Sequence, residues 1–298
     1  MNTEHADRFM QLRPLLFTIA YEVLGSATEA DDVLQDSYLR WAEVDLTQVR
    51  DAKAYLAALV TRQALNALRA GARRREEYVG PWLPEPLLLD EHDPSADVVL
   101  AESVSMAMLV VLETLRPDER AVFVLREVFG FGYDEIGAAV GKTTAAARQV
   151  AHRARNHVQA RRPRYTPVDP DENARVAAEF MAAAAGGDLA TVMSMLAPDV
   201  VWTADGGGKV TAARRPIVGA DNVARAIMAL VRSGGRYVDL RLELGVCNSA
   251  PAVLFFDGDR LAGVFTFEIV DGVITHFYAM RNPDKLAAAA AARRIART

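Results

Sequence analysis

The sequence predicts a multidomain protein, all-α through about residue 162 and α+β from about residue 171 onward. Apolar residues recur at helical spacing through the first half, and Pro-rich segments interrupt the chain twice. Alternation at strand spacing appears only in the last third. A chain of 298 residues has room for two or three domains.

Arg8 to Leu24 is apolar at helical spacing and stops at Gly25, a natural residue to follow a helix C-terminus. Ser26 and Glu29 form a capping-box pattern that opens a helix reaching about Glu43. Its buried stripe is expected to be Ala30, Leu34, Tyr38 and Trp41, leaving Asp32, Gln35, Asp36 and Leu39 on the other face. Asp51 caps a long helix with Leu56, Val60, Ala64, Ala67 and Leu68 inward and Arg62, Asn66, Arg69 and Arg73 outward. Gly80-Pro81-Trp82-Leu83-Pro84-Glu85-Pro86 fits neither helix nor central strand and begins a linker. A second helical block runs from about Ala96 to Ala160, with Pro117 suited to a first helical position. Prolines 163, 167 and 170 mark another linker. Two helical patterns, at about 171–185 and 188–196, then precede Val200-Val201-Trp202, a glycine loop and a helix near 220–232. Alternation over 237–246, 252–256 and 260–269 gives strands, and Asp271-Gly272 is a type I′ hairpin signal. Helices followed by a mainly antiparallel sheet make an α+β domain. The alanine-rich end from Lys285 to Arg297 reads as a frayed helix.

The net charge of −5 hides a pattern. From Ile136 to Val168 there is no acid, but Lys142, Arg148, Arg153, Arg155, Arg161, Arg162 and Arg164 are all basic. Arg62, Arg69, Arg73, Arg74 and Arg75 form a second basic stretch. Basic faces on an acidic whole suggest a nucleic-acid binder that depends on a partner. No apolar run is long enough for a membrane span, and no basic n-region of a signal peptide opens the chain. A single cysteine, Cys247, suits a reducing cytoplasm and reads as a small half-buried strand residue. No metal-ligand spacing is present, and no cofactor is expected.

The sharpest local signal is Y-D-E-I-G-A-A-V-G-K-T-T-A-A-A-R-Q-V-A-H-R-A-R, residues 133 to 155. A short helix packs through Ile136, Ala139 and Val140, Gly141 makes the turn, and Thr143 caps a second helix. That helix turns Ala147, Val150, Ala151, Ala154 and Val158 inward. Its other face carries Thr144, Arg148, Gln149, His152, Arg153, Arg155 and Asn156. This is a helix-turn-helix whose second helix can enter a major groove, where Arg and Gln can bond base edges and flanking cations meet phosphates.

Over residues 8 to 162 the chain resembles an extracytoplasmic-function sigma factor. D-D-V-L-Q-D-S-Y-L-R-W (31–41) is similar to the sigma-2 helix that docks on RNA polymerase, which implies a polymerase face of Asp32, Gln35, Asp36 and Leu39. A-Y-L-A-A-L-V-T-R-Q-A-L-N-A-L-R (54–69) resembles the helix that melts and reads the minus-ten element, which implies DNA contacts by Arg62, Asn66, Arg69 and Arg73. The family more often has Arg-Asn and Asp where this chain has Arg62-Gln63 and Asn66. Residues 133 to 155 look like the sigma-4 reader of the minus-35 element, which implies roles for Thr144, Arg148, Gln149, His152, Arg153 and Arg155. The partners implied are core RNA polymerase and promoter DNA, in the cytoplasm.

W-L-P-E-P in the linker, D-G-G-G-K at 205–209 and N-P-D-K-L at 282–286 together resemble sigma factors fused to a SnoaL-like, ketosteroid-isomerase-like domain. The resemblance implies a sigma-2 domain at 1–79, a linker at 80–97 and a sigma-4 domain at 98–162. A second linker at 163–170 and a cone-shaped regulatory domain at 171–298 follow. The tail would replace a separate anti-sigma protein, and its cavity leaves room for a small ligand.

D-G-G-G-K could be mistaken for a phosphate loop. Its glycines are contiguous and Val210 replaces the hydroxyl residue that would hold magnesium, so a nucleotide site is disfavoured. Two readings remain: a hairpin tip, or a docking loop in which Gly206, Gly207 and Gly208 allow close approach while Asp205 and Lys209 supply opposite charges. The docking target is expected to be the sigma-2/sigma-4 region and Trp82-Leu83-Pro84, with Asn282, Pro283, Asp284 and Lys285 in the same regulatory set. His276, on a strand face with Ile274, Tyr278 and Met280, could pair with Asp199 or Asp205 for proton transfer; a core histidine is the simpler reading. An isomerase or hydrolase tethered to a DNA-binding domain, and an operator-binding transcription factor that works without polymerase, stand as rivals.

Overall fold

A computed structural model describes residues 3–89, 98–161, 170–233, 239–290 and 292–297. The chain forms two compact units. One comprises Met1–Glu76, His92–Tyr165 and Arg293–Thr298; the other comprises Glu77–Glu91 and Thr166–Ala292. The expected class, all-α followed by α+β, is the class observed. Among the described residues, no helix is long and apolar enough to cross a membrane.

In the first unit α1 (Thr3–Leu24), α2 (Ala27–Trp41) and α3 (Ala52–Glu76) pack on one another. Gly25 follows α1 with φ +70°, a conformation that costs a glycine little. Ser26 Oγ then accepts from the Glu29 N–H and opens α2. Asp51 caps α3 through the Ala54 N–H. Leu15, Leu16, Ile19, Trp41, Leu56 and Val60 are all buried in this unit.

The second half of the unit contains α4 (Val98–Ser103), α5 (Met106–Leu112), α6 (Pro117–Phe123), α7 (Tyr133–Val140) and α8 (Thr144–Arg161). A π-helical turn at Val124–Val128 follows α6. Pro117 stands in the first turn of α6, where its missing N–H costs no helical hydrogen bond. The linker expected at 163–170 lies outside the described residues except for Pro170, which begins α9 (Pro170–Gly186).

The second unit adds α10 (Leu189–Ser194), β1 (Leu196–Asp205), β2 (Ile217–Val218) and α11 (Ala220–Ser233). β3 (Leu240–Cys247), β4 (Ala250–Asp257), β5 (Arg260–Val270), β6 (Val273–Met280) and α12 (Pro283–Leu286) follow. The sheet order is β2-β1-β6-β5-β4-β3, antiparallel except for the β1–β6 pair. Its core joins Phe180 of α9, Val192 of α10 and Ile227 of α11 to Trp202, Phe255, Phe265, Phe267 and Phe277 of the sheet. Asp271 and Gly272 both have positive φ, as the hairpin signal requires.

The C-terminal stretch is not one frayed helix. α12 stops at Leu286, a 3-10 turn covers Ala287–Ala290, and residues 292–297 are non-helical. Alanine propensity is overridden by contacts: Ile295 is buried and the Ala296 N–H donates to Thr18 Oγ1 of α1. Cys247 is fully buried rather than half-buried, and burial pushes its thiol up to about 12.

Candidate nucleic-acid interface and a buried motif cluster

The helix-turn-helix forms as its sequence spacing requires. Gly141 adopts the left-handed conformation, and Lys142 N–H donates to Gly137 carbonyl oxygen. A Cβ on Gly137 would lie 2.7 Å from the Lys142 carbonyl oxygen, so the turn closes against a glycine. Thr143 Oγ1 caps α8 through the Ala146 N–H. Ala147, Val150, Ala151, Ala154 and Val158 are the buried face of α8, which leaves Thr144, Arg148, Gln149, His152 and Arg153 exposed. Arg155 differs from these: it is half-buried and forms a two-point pair with Glu127, at 2.6 and 3.2 Å. The Arg148 guanidinium lies over the Tyr133 ring at 5.3 Å, an arrangement that preorients it.

On α3, Arg62, Asn66 and Arg69 are exposed; the Arg73 side chain lies outside those described. Arg69 is already engaged. Asp118, in the first turn of α6, takes Arg69 at 2.6 Å and Lys142 of the helix-turn-helix at 2.7 Å. Burial raises the pKa of that carboxyl, but the two cations outweigh burial and leave it below its ordinary value. Behind this exposed link lies a drier one. Glu113 bridges Arg75 and Arg120, and Arg120, 1% exposed, donates from Nε to the Glu22 carbonyl oxygen at 2.8 Å. Glu22 itself is buried and accepts from Ser103 Oγ at 2.7 Å. Desolvation pushes its carboxyl up to about 8 despite that hydrogen bond and Arg120.

Asp32, Gln35, Asp36 and Leu39 all stand exposed on α2, Leu39 at 60%. A leucine so open among acids marks a contact surface better than a solvated face. The C-terminal residues lie beside this face: Arg293 pairs with Asp31 at 2.7 Å and helps line a hollow of about 310 Å³ with Phe9, Leu34, Gln35 and Tyr38.

The three tail motifs converge within the second unit. Asp205 is fully buried and accepts from Tyr78 Oη, the Leu83 N–H, the Gly207 N–H and Lys285 Nζ, at 2.5 to 3.0 Å. Lys285 donates also to the Leu83 carbonyl oxygen at 2.6 Å, and its ammonium sits 3.3 Å from the centre of the Trp82 ring. Asn282 caps α12 through the Asp284 N–H and donates to Tyr78 Oη. The glycines are explained by space. A Cβ on Gly207 would lie 2.4 Å from Asn282 Nδ2, one on Gly206 2.7 Å from the Val210 carbonyl oxygen, and one on Gly208 3.1 Å from Val79 Cβ.

The two charges of the loop part company. Lys209 pairs with Asp284 at the surface, while Asp205 turns inward to Lys285. Pro84 is buried and Pro283 begins α12. Tyr78, outside the expected set, is the residue that joins Asp205 to Asn282; nothing in its local sequence marks it. Asn248 is likewise new, holding the linker through the Leu87 N–H.

His276 is not paired with Asp199 or Asp205. It lies on the outer side of β6, 3.1 Å from Glu268, because the register between β5 and β6 shifts at Glu268/Ile269 and turns Ile274 to the core. One bulged residue breaks the alternation that would put His276 and Ile274 on one face. A cavity of about 880 Å³ opens instead between α11, the loop after β1 and the sheet. Trp202, Ala226, Leu230 and Ala262 are among its apolar walls; Lys209, Arg260 and Arg281 are its charged ones, and no acid among the described residues lines it.

Sigma-70 region 2 matches residues 8–74 and Sigma-70 region 4 matches residues 105–158. The chain is 40% identical over 292 residues to the ECF RNA polymerase sigma factor SigJ of Mycobacterium tuberculosis, covering 94% of this chain and 92% of that protein. It is 31% identical over 276 residues to the probable ECF sigma factor SigI of the same species, covering 92% of each. The crystal structure of SigJ superimposes with a TM-score of 0.76 at 35% identity, over 96% of this chain and 99% of that one. The chain therefore belongs to the extracytoplasmic-function RNA polymerase sigma factors, as an alternative sigma factor carrying a regulatory C-terminal α+β domain.

Proposed function

We propose that the exposed face of α8 reads the minus-35 element and that Arg62, Asn66, Arg69 and Arg73 meet the melted minus-ten strand. Asp32, Gln35, Asp36 and Leu39 would dock core polymerase in the cytoplasm. The observation that carries this reading is the solvent-facing row Arg148, Gln149, His152 and Arg153 on a helix whose opposite face is wholly committed to packing. Such a row suits base edges flanked by phosphates. Arg155 serves the helix-turn-helix through Glu127 and contributes to DNA indirectly.

The C-terminal domain acts without a separate anti-sigma protein. It grips the linker at Tyr78–Leu83 through Asp205 and Lys285, and the linker leads from the minus-ten helix toward the minus-35 reader in sequence. Fixing the linker would fix how the two readers can be spaced. The loop that grips it, through Lys209 to Ala213, also walls the cavity, so a small apolar ligand with a negative group would be read out at the linker. Run-off transcription with core polymerase tests the reading: the full chain should start at a cognate promoter, and Lys285→Met should change the yield while leaving α8 intact. Promoter-specific binding of equal strength without polymerase would favour an operator-type factor instead.

A further inference from the structure

β3 is the last strand of the sheet, and it is built unlike an ordinary edge. Leu240, Leu242, Leu244 and Val246 are 39%, 48%, 59% and 42% exposed, an aliphatic row along one face of one strand. Among the described residues, the outer edge of β3 is met at its end, where Leu88 bridges to Cys247 and the Asn248 N–H donates to Leu87. Along the stretch before it, no other described residue pairs with this edge. Edge strands are normally blunted by proline, lysine or a bulge, because their free N–H and carbonyl groups template further pairing. This one has no proline, lysine or bulge in its register with β4 from Leu240 to Cys247, and its two charges, Arg241 and Glu243, pair with each other along the strand.

We propose that β3 pairs antiparallel with β3 of a second copy of this chain, about a two-fold axis at Leu242. Charge selects the occupant and the register. Arg241 and Glu243 alternate with the leucines and carry the polar face of the strand. An axis at Leu242 sets Arg241 opposite Glu243 twice, Leu240 opposite Leu244 twice, and Leu242 opposite itself. Moving the axis one residue either way sets Arg241 against Arg241 or Glu243 against Glu243, which like-charge repulsion disfavours. An isologous contact requires this self-complementarity. The strap at Leu87–Leu88 limits the pairing to the stretch before Cys247, so the two sheets join without displacing Leu87 and Leu88.

The full chain should sediment as a dimer at roughly 100 μM and dissociate on dilution into the micromolar range. Arg241→Glu should make it monomeric, and so should Glu243→Arg, because each puts like charges opposite at two places. The double variant Arg241→Glu/Glu243→Arg should recover the dimer, a rescue that a folding defect would not give. Leu242→Cys should cross-link to itself on mild oxidation, since directly opposed residues in an antiparallel pair fall within disulfide reach and Cys247 is buried. A chain that stays monomeric at the highest concentration overturns the proposal, as does failure of the double variant to recover dimer. Polymerase binding lost on Leu244→Lys in a strictly monomeric chain would assign the edge to polymerase instead, and would equally overturn it.

Discussion

The ammonium of Lys285 lies 2.8 Å from the Asp205 carboxylate, with both side chains sealed from solvent at 6% and 0% exposure. Two charges so dry need every remaining valence satisfied. Asp205 has Tyr78 and the N–H groups of Leu83 and Gly207; Lys285 has the Leu83 carbonyl oxygen and the Trp82 ring. Three short motifs far apart in the sequence are thus parts of one ion pair and its shell.

Removing one partner should therefore be severe. Lys285→Met keeps the stem against Trp82 but strands Asp205, and breaking a buried pair typically costs about 3–5 kcal/mol. Chemical denaturation followed at the C-terminal domain should show a loss of that order. Lys209→Met, which removes an exposed pair with Asp284, should cost less than about 1 kcal/mol. Equal losses in the two variants would refute the special standing of the buried pair.

Glu22 gives a pH dependence of defined sign. Its folded carboxyl is pushed up to about 8 by desolvation, from an ordinary value of 4.5. Between those values the unfolded chain ionises Glu22 while the folded chain keeps the proton, so folding binds more protons and stability falls as pH rises. The loss begins near pH 4.5 and is complete above pH 8, amounting to a few kcal/mol at most. Glu22→Gln should flatten this stretch of the stability–pH profile and be the more stable protein at pH 8. A wild-type profile that rises from pH 5 to pH 8 with no change in slope on substitution would contradict the assignment.

Much of this was legible in the sequence, and the rest was not for identifiable reasons. The inward face of α8 follows from spacing because a helix turning through a fixed angle allows few alternatives. Ser26, Asp51, Pro117, Gly141 and Thr143 mark helix ends through local chemistry, so they read correctly too. Long-range partners leave no such mark. Tyr78 and Asp205 meet across 127 residues, and Glu268 meets His276 only after a bulge shifts the register. The glycines of D-G-G-G-K left open a hairpin tip or a close approach; the positive φ of Gly207 and Gly208 and the nearness of Asn282 and Val79 are visible only in three dimensions.

The α2 face can be tested without touching the core. Asp36 and Leu39 are exposed, so Asp36→Ala/Leu39→Ala should leave helical content unchanged and folding stability within about 0.5 kcal/mol of wild type. Affinity for core polymerase should fall at least tenfold, measured by fluorescence polarisation. Undiminished binding would remove this face from the docking assignment.

Arg148→Ala separates base reading from phosphate contact. If Arg148 bonds a guanine edge, the loss is about 1–3 kcal/mol on the preferred promoter and much less on one altered at that position. If it meets phosphate, every sequence loses alike and the salt slope drops by about 0.9. The Tyr133 ring under its guanidinium favours the first outcome, because a preoriented fork loses little freedom on binding. Polymerase-bound protein assayed on a minus-35 substitution panel decides between them.

Asp118 joins α3 to the helix-turn-helix most directly, taking Arg69 and Lys142 on its two oxygens. If the proposed promoter contacts hold, neither cation is available to DNA while the carboxylate holds it. Half-exposed pairs of this kind contribute only about 0.2–1 kcal/mol each, so promoter phosphates at high local charge density can compete for them. Asp118→Ala should therefore change folding stability little and DNA affinity more. With core polymerase and a fork-junction promoter, the variant should bind more tightly than wild type at low salt. Its log–log salt dependence should steepen by up to about two, one phosphate for each freed cation. Asp134→Ala removes an exposed acid from the first turn of α7, in the same unit, and should produce no such change. If both variants steepen equally, general charge explains the effect; if neither does, Arg69 and Lys142 do not reach DNA and the promoter role of Arg69 fails.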